Sequence, residues 1–133
     1  MIKKYKGIKE LEKLLKKTLN NKEKILRTLL THKPLVYLIG EDFSDKFMEQ
    51  RSKKNIFLKS LRMNKKVDLE KHKDYKKFNK EVKFCNEKFD KTLLIWDDYV
   101  AIINIEKISF ILIKNKENAN IMKKWFDIIW DKN

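Results

Sequence analysis

Glycine and proline are nearly absent from this chain, which holds only Gly7, Gly40 and Pro34. Two isolated glycines exclude a Gly-rich phosphate loop and a dinucleotide-binding turn. So little Gly and Pro also leaves no linker composition, and no internal repeat or domain boundary is visible. Cys85 is the sole cysteine. It has no internal disulfide partner, which favours a reducing compartment. Apolar runs stay far below the ~18 residues of a membrane span. The opening Met1-Ile2-Lys3-Lys4 leads into Lys9, Glu10, Glu12 and Lys13, without the apolar stretch of a secretory signal. The expected location is the cytoplasm, with no membrane partner.

Arginine is scarce too. The formal charge of +14 comes from thirty lysines and only Arg27, Arg51 and Arg62, set against 19 acidic side chains. Lysine lacks the planar fork that reads bases and phosphates bidentately. Lysine excess with abundant Ile and Asn is also what an AT-rich coding sequence produces, so much of the charge is expected to be solvated surface. Nucleic acid is therefore a secondary partner. Its phosphates would be met by Lys53, Lys54, Lys65, Lys66, Lys71, Lys73, Lys76 and Lys77.

What is present suits one core: 133 residues, 42% hydrophobic, predict a single globular domain over 1–133. Three apolar runs, Leu93 to Trp96, Tyr99 to Ile105 and Ile108 to Ile113, are separated by Asp97-Asp98 and Glu106-Lys107. That pattern predicts a β-meander with tight turns. A closing helix follows, with Asn115 as N-cap and Met122, Trp125, Phe126 and Ile129 on one face. Ile121, Trp125, Ile128 and Trp130 widen that face and are candidates for a partner surface.

Upstream, Ile8, Leu11, Leu14, Leu15, Thr18 and Leu19 lie on one face of a helix opened by Gly7 and stopped at Asn20-Asn21. Lys24 to Thr31 reads as a buried strand, and Pro34 turns the chain. Leu35 to Ile39 is an ambiguous apolar run. Asp42 or Ser44 is expected to cap a helix through Asn55 that buries Phe43, Phe47, Met48 and Arg51. Ile56 to Arg62 reads as a central strand and Val82 to Phe84 as a short one. Between them, 63–80 is a polar, basic loop or short helix.

Tyr5-Lys6-Gly7-Ile8, Phe47 to Ile56 (FMEQRSKKNI), Trp96 to Ile103 (WDDYVAII) and Trp125 to Trp130 (WFDIIW) occur in that order. Together they resemble the C-terminal effector domain of TrmB-like transcriptional regulators. The resemblance covers nearly the whole chain. It implies an α/β, phospholipase D-like domain, a mixed sheet with a C-terminal β-meander flanked by helices. It further implies a non-catalytic sensor or protein-interaction role in transcriptional control. The family's N-terminal winged helix and coiled-coil connection have no counterpart in this sequence, so a freestanding effector domain or a fragment is expected. A separate winged-helix protein or a second copy of the chain would then be the partner.

Phospholipase D-like catalysis needs a histidine nucleophile with a lysine two residues on, so that both leave one strand face towards a phosphate. The histidines lie in His32-Lys33-Pro34 and His72-Lys73-Asp74. Each has its lysine next door, pointing to the opposite face of a strand. An enzyme is not expected. Metal-ligand spacing among His32, His72 and Cys85 is also lacking, so no metal or other cofactor is expected. Cys85 beside Phe84 reads as a buried thiol, and Asp97-Asp98 as a hairpin turn. Arg51, Arg62 and His32 remain as candidate ligand residues. Arg62 and His32 close predicted strands, where open α/β sheets bind ligands, and a small polar or anionic ligand is the expected occupant.

Overall fold

The computed structural model describes residues 1–31, 33, 35–63 and 79–133. Among them the chain forms β1 (Ile2–Lys6), α1 (Ile8–Thr18), β2 (Ile25–Leu30), α2 (Val36–Ile39), α3 (Glu41–Lys53) and β3 (Phe57–Arg62). Then come β4 (Lys80–Phe84), β5 (Thr92–Trp96), β6 (Tyr99–Asn104), β7 (Ser109–Lys114) and α4 (Lys116–Lys132). His32, Pro34 and most of the 63–80 connection lie outside the described residues, as do Lys65, Lys66, Lys71, Lys73, Lys76 and Lys77.

One seven-stranded mixed sheet has the order β1-β7-β6-β5-β2-β3-β4. Strand β2 is the seam: it runs parallel to β3, which runs parallel to β4, and antiparallel to β5. From β5 outward the neighbours β6, β7 and β1 are all antiparallel. This is an α/β fold built on a mixed sheet, with the C-terminal meander expected from its apolar runs. The interior strands are apolar on both faces, as strands covered by helices must be. Leu26, Leu30, Leu94, Trp96, Ile103 and Phe110 pack with α1 on one side. Leu29, Leu61, Leu93, Ile95 and Val100 pack with Ala119, Phe126 and Trp130 of α4 on the other.

Helix α1 buries Leu11, Leu14, Leu15 and Thr18 at helical spacing. Its exit is fixed by Asn21, which donates to Ile25 O (2.6 Å) and accepts from Lys24 N (2.9 Å). The apolar run before Gly40 forms the single turn α2, and Gly40, at φ 87°, starts α3. That backbone conformation suits a residue without Cβ. Asp42 and Ser44 are therefore not caps: α3 begins one residue before Asp42 and has no side-chain cap bond. At α4 the expected cap forms, with Asn115 accepting from Asn118 N at 2.9 Å.

Two further expectations change. The β6–β7 connection spans four residues, because Asn104 pairs with Ser109 and Ile108 takes φ 49°. No apolar pattern in the sequence announces β1, which joins the sheet edge through β7. Its residues are exposed except for the partial burial of Tyr5, which stacks on Phe110 at 4.9 Å. An edge strand that buries one ring carries little apolar alternation.

Candidate functional site

Alternation along parallel strands in register decides which side chains meet. Thr28 pairs with Ser60 in register, and Arg62 stands two residues beyond Ser60, so all three leave the sheet towards α2 and α3. Lys80, opposite Leu58 on β4, shares that face. These groups and the helices above them line a cavity of about 300 Å³. Its walls are mostly apolar, with Leu26, Leu30, Leu58 and Leu94 from the sheet and Leu35, Ile39, Phe47 and Met48 from above. Glu41, Ser44 and Asp45 from the first turns of α3 complete the lining.

The polar floor is connected. Thr28 Oγ1 donates to Ser60 Oγ at 3.0 Å, and Arg62 Nε donates to the same oxygen at 2.9 Å. Lys80 Nζ reaches Met48 Sδ at 3.7 Å. Arg62 and Lys80 are only 4% and 5% exposed. Two buried cations therefore border one largely apolar cavity.

Of the residues singled out from sequence, Arg62 therefore lines the cavity. Arg51 does not. Fully buried, it bonds Ile56 O (2.8 Å) and Asn79 O (3.0 Å) through Nη1, tying the end of α3 to the starts of β3 and β4. Burial pushes its guanidinium down to about 10, which leaves it charged at neutral pH. His32 lies outside the described residues. Thr28, Ser60 and Lys80 were missed. A signal was available: ILRTLL and FLKSLR each carry a hydroxyl in fourth place within an apolar run.

On the opposite face, Arg27 makes a two-pronged contact with Asp127 of α4 at 3.0 and 3.2 Å. On α4, Ile121 and Ile128 are 64% and 68% exposed. Trp125 is half-buried edge-on to Phe89, and Trp130 is buried, stacked on Phe126 with the Lys83 ammonium 4.9 Å from its ring. Trp130 thus faces the core and is not part of the exposed stripe. Lys53 and Lys54 end α3 on the surface.

The Asp97-Asp98 turn does more than reverse the chain. The Asp97 carboxylate accepts from Lys22 N and Glu23 N at 3.0–3.1 Å, pinning the loop before β2. Cys85 is buried, and its thiol is pushed up by burial and by the charge of Glu87. Among the described residues no cluster of His, Cys, Asp and Glu could hold a metal ion, and no helix is long and apolar enough to cross a membrane.

No family model and no curated protein matches the chain. Solved structures do share its fold. TrmBL2, an archaeal chromatin protein with a novel mode of DNA binding, superposes with a TM-score of 0.66 at 19% identity, over 97% of this chain. The chain spans about half of that protein, 49% of its length. NucT from Helicobacter pylori superposes with a TM-score of 0.66 at 9% identity, over 98% of this chain and 97% of the other. Both have the phospholipase D-like fold.

Proposed function

We propose that this chain is a non-catalytic, effector-type sensor domain associated with transcriptional control, which takes a small anionic ligand with an apolar body. The observation that carries the reading is the cavity under α2 and α3, where Arg62 and Lys80 are buried among leucines. A ligand's anionic group would meet the two cations beside the Thr28–Ser60 pair, and its apolar body would fill the space between sheet and helices. Occupancy would brace α3 against β2 and β3. That is how binding here would be transmitted to a winged-helix partner or a second copy of the chain.

The non-catalytic part rests on the sequence itself: neither histidine is followed two residues later by lysine. The transcriptional part rests on the TrmB-like resemblance and on the fold shared with TrmBL2, a chromatin protein. A nucleic-acid role is the second reading, favoured by the net charge of +14 and by that neighbour's DNA binding.

The test is thermal unfolding with a panel of carboxylates and sugar phosphates of graded size. A ligand present at 100 times its Kd stabilises the fold by about 2.7 kcal/mol. Arg62→Met should remove that gain for the ligand found. A panel hit whose effect survives both Arg62→Met and Lys80→Met would sink the assignment, as would a panel without any hit.

A further inference from the structure

Away from the cavity, a second depression of about 540 Å³ opens where the β5–β6 turn meets the end of α1 and the start of α4. Its lining is lopsided: Lys17, Lys22, Lys114, Lys116 and Lys123 against Glu23, Asp97 and Asp98. Two of those carboxylates are already engaged. Asp97 holds the main-chain N–H groups of Lys22 and Glu23, and Glu23 is paired with Arg27 and Lys123, each at 3.3 Å. Among the described residues, Lys17, Lys22, Lys114 and Lys116 form no ion pair, and all four are exposed.

Tyr99 organises the two central cations. Its ring stacks on buried Trp96 at 5.0 Å, and the ammonium groups of Lys17 and Lys114 stand 5.0 and 5.6 Å from its centroid. Like charges gathered on one ring repel, and a shared anion relieves that repulsion. Lys116 opens α4, whose N-terminal end adds positive potential on the same side. An open trough with several unpaired ammonium groups suits an extended run of phosphates.

We propose that this trough is a nucleic-acid phosphate-binding site, held by Lys17, Lys22, Lys114 and Lys116 around Tyr99. It lies apart from the Arg62 cavity and does not depend on the ligand reading of that cavity. It also differs from the lysines of 53–77 that sequence alone suggests. Lysine point charges without arginine forks bind backbone and leave bases unread, so little sequence preference is expected.

The experiment is fluorescence anisotropy of a labelled duplex at about 50 and 200 mM salt, a range over which phosphate contacts weaken steeply. The triple variant Lys17→Gln, Lys114→Gln, Lys116→Gln is compared with the charge-matched Lys9→Gln, Lys46→Gln, Lys107→Gln, exposed lysines outside the trough. The trough variant should lose about tenfold or more at the lower salt and flatten the salt slope by about 2 to 3, while the control variant changes little. Equal weakening of both, or no binding by the unaltered chain at the lower salt, would overturn the proposal. On the unaltered chain, amide shifts with added duplex should centre on Lys22, Glu23 and Asp97; shifts centred elsewhere would count equally against it.

Discussion

The antiparallel strands β5, β6, β7 and β1 and the parallel set β2, β3 and β4 belong to one sheet but treat polar side chains differently. In the antiparallel half the buried side chains are Leu93, Leu94, Ile95, Trp96, Val100, Ala101, Ile103, Phe110 and Leu112, with Thr92 the polar exception. Hydrogen bonding there is left to the ladder. In the parallel half Arg27, Thr28, Ser60, Arg62 and Lys80 are all buried. Polar groups persist in an interior only where partners satisfy them. Ser60, accepting from both Thr28 and Arg62, is the centre of that arrangement. The contrast separates a half held by apolar contact from a half that also buries a hydrogen-bonded polar set, and the cavity lies over the second.

If the antiparallel half is held by packing, removing a ring there should have the largest effect on stability. Phe110 is buried and carries the stacked Tyr5 of β1, so Phe110→Ala should cost about 3–5 kcal/mol in urea unfolding and loosen the edge strand. A loss below about 1 kcal/mol would break the contrast at its apolar end. At the boundary of the parallel half, Arg51→Met would remove the side-chain donor of Ile56 O and one of the two donors of Asn79 O, which keeps its bond from Leu58 N. A loss of about 2–3 kcal/mol is expected, with amide exchange near Asn79 rising first. An unchanged stability would mean that Arg51 does not lock α3 to the sheet.

The same contrast explains which parts were legible in sequence. The meander was visible because WDDY is a two-residue turn between apolar runs, and it closes with Trp96 opposite Tyr99. Strand β1 was not visible, since Ile2 is 67% exposed and the residues that follow it within the strand are Lys3 and Lys4. The role of Arg51 was half legible: helical spacing from Phe43 and Phe47 put it on the inner face, but its second carbonyl partner, Asn79, lies far along the chain. The cavity depended on register. Thr28 and Ser60 meet only because β2 and β3 are parallel and aligned residue for residue, and no local periodicity reports that alignment. Lys80 read as the end of a basic stretch until its pairing with Leu58 turned it inward.

A smaller effect sharpens the polar end of the comparison. Ser60→Ala leaves the Thr28 hydroxyl and Arg62 Nε without their common acceptor and should cost about 1–3 kcal/mol. Thr28→Val alone should cost less. The two together should fall short of their sum by about 0.5 kcal/mol or more, since they share one bond. Strict additivity in that double-mutant cycle would mean that the floor is not a connected unit.

The smallest effect concerns the far side of the same strands, where Lys59 and Lys83 stand at Trp130 beside an apolar patch. Beyond the Arg27–Asp127 pair, Leu29, Leu61 and Cys85 pack against α4 as apolar groups. Burial, with the nearby Glu87 charge, favours the neutral Cys85 thiol in the folded chain. The thiol should accordingly react more slowly with a disulfide reagent in the folded protein than in urea. Because the folded thiol titrates above the unfolded one, its stabilising contribution is complete below pH ~8.5 and is lost as pH rises through the folded value. The stability of Cys85→Ala should therefore fall off less steeply above pH ~8.5 than that of the unaltered chain. Equal slopes with fast labelling of the folded protein would show this face open to water, and the apolar patch of Leu29, Leu61 and Cys85 under α4 would not be sealed.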